Sequence, residues 1–533
     1  MHFEAHDQAV QTIAAQVRSF SQRREPFRIY HGSTNSTRTS QRRADNTIDT
    51  SRLDHVLSVD TTKLTALVEP NVPMDQLVKA TLEHNLIPPV VMEFPGITVG
   101  GGFSGTSGES SSFRHGAFDA TMESIEIVLA DGTLTRASKT EKPDVFWGAA
   151  SAFGTLGVVT LLEIRLRPAK KFVELRYRLS RRAEETVWKM RGACDDEAND
   201  FVDAIVFDAE TTLLCCGRMT DVMPPGVLQA RTFSGPKDPW FYVRACEVQK
   251  ALSRKRRKML KEKGMTKEIE SPDDIVALEG LEMVDYIPLA EYLFRYDRGA
   301  FWVGKYSFRY FLTPFNRATR FLLDRFMHTR VMYRAVHKSG LADYYMVQDV
   351  GVPFDRAAEF QAWLHDSLNI YPLWLCPLRI RRDDPDSAHG LHADFADPAT
   401  PDLVNFGVWG PLTGHSRRAV VEKNRALERK VQELHGRKWL YAHAYYTEDE
   451  FWRSYDRQSY DELRARYGAA YLPSVFDKVK VDVDKEEAER NRSWKTRTRA
   501  ALEGAWPVRG LKGFYGAMGG GDYLLRGKGK GKR

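Results

Sequence analysis

The chain has 533 residues, 42% of them hydrophobic and 28% charged, with a formal net charge of +7. That length holds two or three cores, the composition is that of a soluble globular protein, and so small a charge for the size argues against a protein built around nucleic acid. Five cysteines (Cys194, Cys215, Cys216, Cys246, Cys376) show neither C-x-x-C spacing nor histidines at zinc-ligand intervals, so free thiols in a reducing compartment are expected.

Met1 to Phe20 reads as a helix with Val10, Ile13, Val17 and Phe20 on one side, too polar for a signal core. No apolar run approaches the roughly 20 residues that cross a bilayer. The expected location is therefore cytoplasmic or peripheral to a membrane, the endoplasmic reticulum included. Phe27 to Tyr30 reads as a strand before the polar loop His31 to Arg43. His55 to Val59 and Leu64 to Glu69 read as strands, and Met74 to His84 as a helix with Leu77, Thr81 and Leu82 inward. Period-2 alternation over Thr121 to Leu129 precedes Asp131-Gly132, a type I′ hairpin signal, and a strand from Leu134 to Arg136. Asp144 to Ala152 is predicted helical, and Val158 to Leu166 a long strand ending at Pro168. The predicted division is residues 1–170 as an α+β cofactor domain, 171–480 as a mixed α/β substrate (cap) domain with closing C-terminal elements, and 481–533 as a charged helix followed by a disordered basic Gly/Lys tail.

The run Thr98, Val99, Gly100, Gly101, Gly102, Phe103, Ser104, Gly105, Thr106, Ser107, Gly108, Glu109, Ser110, Ser111 carries little side-chain bulk and several hydroxyls. Such a loop brings backbone N–H groups up to a pyrophosphate. Gly100, Gly102 and Gly105 satisfy G-x-G-x-x-G, but no apolar helical period follows through His115 and Gly116, so the match is read as accidental and the segment as a loop. A surface linker is the alternative; the flanking Ile97, Phe113 and Phe118 weigh against it.

With T-V-G-G-G-F-S-G-T-S-G-E-S-S-S-F-R-H-G, the D-G hairpin and G-T-L-G-V-V-T-L-L-E-I-R-L, the chain resembles the PCMH-type FAD-binding fold of vanillyl-alcohol oxidase and p-cresol methylhydroxylase relatives. Within that superfamily it is similar to the Δ24-sterol reductases. The likeness extends through K-D-P-W-F-Y, Y-I-P-L, V-Q-D, Y-P-L-W-L-C-P and L-Y-A-H-A-Y-Y, over residues 25 to about 480. The resemblance implies an FAD domain of two α+β subdomains. It places the cofactor against Gly32, Ser33, Thr34, Asn35 and Ser36, against the glycine-rich loop, and against Gly154, Thr155, Gly157 and Val158. The superfamily's covalent histidine position falls on Asn35, with His31 earlier, so non-covalent FAD is expected. NADPH is the implied electron donor, and the implied reaction is reduction of an isolated C=C bond in a sterol or other isoprenoid side chain. A flavin oxidase or dehydrogenase of an alcohol or specialised metabolite is the alternative, and a lipid- or nucleic-acid-binding protein with a vestigial flavin fold a third.

Reduction of an unactivated alkene needs hydride at one carbon and a proton at the other, beside aromatic faces that stabilise positive charge. Tyr345 and Asp349 share one face of a predicted strand over Tyr344 to Val352, with Gln348 on the other. Trp374 and Cys376, on a strand from Trp374 to Ile380, are candidates for a substrate wall, as is Gln348. Tyr441, His443 and Tyr445 fall on one face if their segment is a strand, which makes Tyr441 and Tyr445 candidate proton donors with Tyr345 and Asp349. Each has a bland alternative as a packed or paired core residue. Arg295 to Lys338 interleaves basic and aromatic residues, which suits a surface resting on anionic lipid, or equally a solvated helix pair. No metal and no nucleic-acid partner are expected.

Overall fold

The computed structural model describes residues 2–31, 43–226, 229–262, 281–339, 341–412, 416–484, 488, 510–513 and 515. The expected loop at Gly32 to Ser36 and most of the charged helix and basic tail lie outside these residues.

The amino-terminal part is built on one five-stranded sheet and two two-stranded ones. Strands β1 (Arg28–Tyr30) and β2 (Thr47–Asp49) pair in parallel. Strands β3 (Val56–Asp60) and β4 (Thr65–Val68) belong to a second, antiparallel sheet, and β5 (Leu86–Ile87) is a short strand outside it. With β6 (Met122–Leu129), β7 (Leu134–Ser138) and β8 (Gly157–Arg165) the second sheet has the order β3-β4-β8-β6-β7, and β9 (Arg167–Pro168) pairs with β5. The inward residues of β6 anticipated from its alternation, Ile125, Ile127 and Leu129, are buried. Val10, Ile13, Val17 and Phe20 of the helix His2–Arg23 join the same core, so that helix is held by its apolar stripe.

Beyond Pro168 a single antiparallel sheet of eight strands dominates. It comprises β10 (Phe172–Ser180), β11 (Phe201–Asp208), β12 (Thr211–Thr220), β13 (Glu282–Pro288), β14 (Tyr345–Pro353), β15 (Leu373–Leu378), β16 (Leu403–Pro411) and β17 (Arg437–Lys438). Their order is β13-β10-β12-β11-β15-β16-β14-β17. One face packs on helices including Ala357–Ser367 and Arg417–Glu433, forming a core around Val350, Phe360, Phe406 and Leu427. The other face turns toward the amino-terminal domain. The chain then returns to that domain: Tyr460 Oη lies 2.7 Å from Thr155 Oγ1, Tyr471 Oη donates to Ala130 O at 2.7 Å, and Arg466 pairs with Asp144 at 2.8 Å. The architecture is α+β throughout.

Three local expectations are corrected. The Asp131-Gly132 turn is not type I′: only Gly132 has positive φ (+88°), and a three-residue loop is closed by bonds between Leu129 and Thr133 and from Gly132 N to Leu129 O. The glycine-rich stretch is not all loop, because Val99–Gly105 forms a short helix. Thr98 caps it, its hydroxyl accepting from Gly101 N at 3.1 Å, while Val99 N and Gly100 N donate to Val72 O and Pro70 O. Tertiary contacts thus overcome the poor helix propensity of three consecutive glycines. In the helix Met74–Leu82, Val78 and not Leu82 completes the buried face with Leu77 and Thr81.

A buried histidine ties the first helix to the sheets. His6 Nδ1 lies 2.8 Å from Glu69 Oε1, and Nε2 lies 3.2 Å from Glu126 Oε1. Burial opposes charge on the ring, but the hydrogen bonds and charges of Glu126 and Glu69 prevail and push its pKa up to about 9. Because the folded value exceeds the ordinary 6.5, the staple is fully present below about pH 6.5 and is lost as pH rises through about 9. His6→Gln is expected to lower the melting temperature at pH 7, at a cost of about 3 kcal/mol; the gap from wild type should shrink by pH 10, and a gap independent of pH would refute the charged staple.

Candidate active site

One cavity of about 940 Å³ is lined by residues of the amino-terminal sheets and of the eight-stranded sheet, large for a small-molecule site. Arg28, His31, Phe153, Gly154, Lys478 and Lys480 line part of it, the last two from the returning segment. Thr98, Gly100, Gly101, Ser104, Gly105, Ser107 and Gly108 supply another wall, with Gly157 and Val158 of β8. The remainder is aromatic and acidic: Glu93, Phe301, Tyr333, Tyr345, Asp349, Trp374, Asn405, Trp409, Tyr441 and His443.

The aromatic wall is a packed unit. Ring centroids of Phe301 and Trp409 are 4.5 Å apart, those of Phe301 and Trp374 5.3 Å, and Tyr296 stacks behind Phe301 at 3.8 Å. Behind them Asp203, fully buried, accepts through Oδ2 from Arg295 (2.8 Å), Tyr296 (2.6 Å) and Trp374 Nε1 (3.0 Å). Three donors fix one indole edge, and with it the wall.

Asp349 projects from β14 into this chamber. Tyr441 Oη donates to its Oδ2 at 2.5 Å and Asn405 Nδ2 to its Oδ1 at 3.0 Å. Burial raises its pKa to about 6, against the pull of hydrogen bonds from Tyr441, Asn405 and Trp409. Glu93 also faces the cavity; burial, then the charges of Glu109 and Asp349, push its carboxyl up to about 8. Glu109 is held near 7 by burial, Arg295 opposing and Asp203 adding to the shift.

The cavity brings together Thr98, Gly100, Gly101, Ser104, Gly105, Ser107, Gly108, Gly154, Gly157 and Val158 from the expected cofactor residues, and Tyr345, Asp349, Trp374 and Tyr441 from the expected chemistry. Others point elsewhere. Val99 is core, and a Cβ on Gly102 would strike Met92 and Phe118. Thr106 bonds Ser151, and Thr155 bonds Ala152 O and Tyr460. Ser110 N binds its neighbour Glu109, which lies toward Arg295 and Asp203 rather than on the wall. Ser111 Oγ donates to Pro89 O at 2.9 Å. His115, buried among Arg167, Arg114 and Arg165, has its pKa lowered to about 4 by burial and those charges; Gly116 (φ +79°) ends the same short helical turn, Ser112–His115.

On the eight-stranded sheet Gln348 is no substrate wall: its amide donates to Asn424 Oδ1 at 2.7 Å and to His443 O. Cys376 is buried beneath the wall rather than in it, although two residues from Trp374 on the same strand. Tyr445 does not join Tyr441, because residues 440–445 form a turn and an extended segment instead of a strand; its hydroxyl accepts from Arg417 at 3.1 Å. Arg295 and Arg298 are buried in pairs with Asp203 and Asp324, so the basic run they open is only partly surface.

Sequence reasoning missed Glu93, Phe301, Tyr333, Asn405 and Trp409. Asn405 and Trp409 lie four residues apart on β16, hence on one face; Glu93 is a lone acid in an apolar stretch. Those were the available signals.

The walls suit a dinucleotide. A Cβ on Gly100 would stand 2.7 Å from Pro70 Cβ, so the chain there admits no bulk, whereas one on Gly105 would meet only Ser107 Oγ at 3.7 Å, leaving that wall open to a bound group. Asn405 Oδ1 is buried on the cavity wall without a hydrogen-bond partner among the described residues, an acceptor that a bound donor would satisfy.

Comparison with known proteins agrees. The profile of the FAD binding domain family matches residues 8–138. The human protein named Delta(24)-sterol reductase is 29% identical over 495 residues, covering 89% of this chain and 86% of its own. The pea protein of that name is 27% identical (86% and 80% covered), and the Arabidopsis thaliana one 28% (81% and 76%). The chain is thus a relative of the Δ24-sterol reductases, with an FAD-binding domain in its amino-terminal part.

Proposed function

We propose that this protein is an FAD-dependent reductase that takes electrons from NADPH and saturates an isolated C=C bond in the side chain of a sterol or sterol-like isoprenoid. The observation that carries the reading is the juxtaposition, in one cavity, of a glycine-rich cradle with an aromatic chamber that holds the carboxyls of Asp349 and Glu93; the overlap with most of the length of proteins named Delta(24)-sterol reductase supports it.

In this reading Thr98, Gly100, Gly101, Ser104 and Gly105 hold the diphosphate side of FAD, with Arg28 and Lys480 toward the nucleotide end. Bound there, FAD supplies hydride. Phe301, Trp374 and Trp409 exclude water and present π faces to positive charge developing on the alkene. Asp349, fixed by Tyr441 and Asn405, steadies that charge and orients the tyrosine hydroxyl. Neither Asp349→Asn nor Tyr441→Phe should cost flavin content, and each should slow turnover by roughly tenfold or more; unchanged turnover in both would remove this pair from the chemistry.

The test of the whole reading mixes the FAD-loaded protein with NADPH under nitrogen, follows the flavin absorbance, and then supplies desmosterol. Bleaching, and a saturated side chain by mass spectrometry, are expected; no bleaching, or rapid peroxide formation from an alcohol in air, would overturn it. Non-covalent attachment predicts that acid precipitation leaves all the yellow colour in the supernatant.

The lipid substrate suggests where the protein works. No helix among the described residues is long and apolar enough to cross a membrane. Leu312 (77% exposed), Leu322 (74%), Phe321 and Phe311 are exposed along one stretch of chain, and the segment of the exposed Leu511 and Tyr515 packs on Tyr310 and Ser339 beside it. Lys305, Arg309, Arg317 and Arg325 are exposed around them, while Asp324 is turned inward to Arg298. Val303, Met332 and Val336 of the flanking helices line the cavity. This patch meets an anionic bilayer at the membrane surface in our reading. Phosphatidylcholine vesicles with added phosphatidylserine should sediment the protein, and the Leu312→Asp, Leu322→Asp double variant should bind at least about tenfold more weakly; Trp188→Asp, at an exposed residue outside the patch, should not. Equal binding by all three would exclude the patch.

A further inference from the structure

We propose that Glu93, which neither family motif nor periodicity singles out, is the acid that delivers the proton to the alkene; this rests on the reductase reading above. Four features of its setting support the role. It lines the same cavity as the aromatic wall and the Asp349–Tyr441 pair, and its carboxyl feels the charge of Asp349 across that cavity. Its only hydrogen bond is to its own backbone N–H, which leaves the carboxyl free of any donor side chain among the described residues. Its charged neighbours are Glu109, on the glycine-rich stretch, and Asp349, on β14; Tyr333 and Cys376 face it from the helix Thr329–Ser339 and from β15. Arg295, whose charge opposes the shift, is committed to Asp203 and to Tyr292 O, and Arg330, which donates to Pro95 O, to Asp75.

Two carboxyls on one cavity wall are therefore set to opposite tasks by their surroundings. Asp349, receiving hydrogen bonds from Tyr441 and Asn405, is better placed to carry negative charge. Glu93, with none and with carboxylates beside it, is built to keep its proton at neutral pH, and burial strengthens the same preference. An unactivated alkene is protonated only by an acid held close in a site closed to water, and a lipid seated against the aromatic wall would itself exclude water from Glu93.

The balance closes with the co-reactant already named. The π bond takes the Glu93 proton at one carbon, leaving positive charge at the more substituted one, where the aromatic faces lie. Hydride from the reduced cofactor then fills that carbon. Glu93 is left as a carboxylate and regains a proton from solvent once product leaves.

The first test needs no turnover. Infrared difference spectra of the protein without added cofactor should show the C=O stretch of a protonated carboxyl that titrates near pH 8 in wild type and is absent in Glu93→Gln. The second compares steady-state alkene reduction: Glu93→Gln should retain the flavin spectrum and stoichiometry of wild type and turn over at least about a hundredfold slower, while Glu93→Asp recovers part of the loss. Wild-type kcat should fall above about pH 8, where the acid is spent. A wild type that reduces no alkene would bring down the reductase reading itself. An active wild type matched by Glu93→Gln, or lacking a carboxyl band assignable to Glu93, would overturn this inference alone.

Discussion

A charge buried at Asp203 organises the active-site half of this molecule. A carboxylate removed from water is unfavourable by several kcal/mol unless it is paired and fully hydrogen-bonded. Here one of its oxygens draws in Arg295, Tyr296 and Trp374 at once. The Arg295 guanidinium is itself sandwiched by rings, 4.1 Å from the centroid of Tyr292 and 4.5 Å from that of Tyr296. That cluster joins β11, β15 and the turn after β13, three segments far apart in sequence, and the wall of Phe301, Trp374 and Trp409 is seated on it.

The same constraint sets the electrostatics of the chamber. One cation answers Asp203, Glu109 and Glu93 lie within its field, and Asp349 adds its charge to that of Glu109 at Glu93. Negative charge therefore exceeds positive charge in a region of low dielectric, and the surplus is relieved by keeping protons on carboxyls. In an ordinary core such an imbalance would be a defect. Beside a cavity it leaves protonated carboxyls within reach of whatever binds there.

Much of the flavin half was legible in the sequence because its signals are local. Alternation placed β6, the apolar stripe placed the first helix, and the absence of bulk from Thr98 to Gly108 marked a backbone that lies close to something. Where local signals conflict with tertiary packing, the reading failed. Val99–Gly105 is helical because Pro70, Val72 and Thr98 bind its first turn, against the preference of its glycines. Tyr445 leaves the face of Tyr441 because the segment is not a strand. Arg295 stood in a basic run and looked like surface; its partner Asp203 lies 92 residues away, a distance that no spacing rule reaches. The cavity wall is assembled from many such separated segments, so its composition could be sampled from motifs but not completed.

The returning segment has a consequence for how the protein comes to be. Tyr460, Arg466, Tyr471 and Lys478 bind residues of the first 160, and Lys478 and Lys480 line the cavity beside Phe153 and Gly154. A ribosome releases the cradle some 300 residues before it releases the segment that covers it. During that interval the nascent chain offers a half-built cleft to solvent and chaperones. The cleft is therefore closed only once residues 460–480 have been made and have folded back on Thr155, Asp144, Ala130 and Phe153.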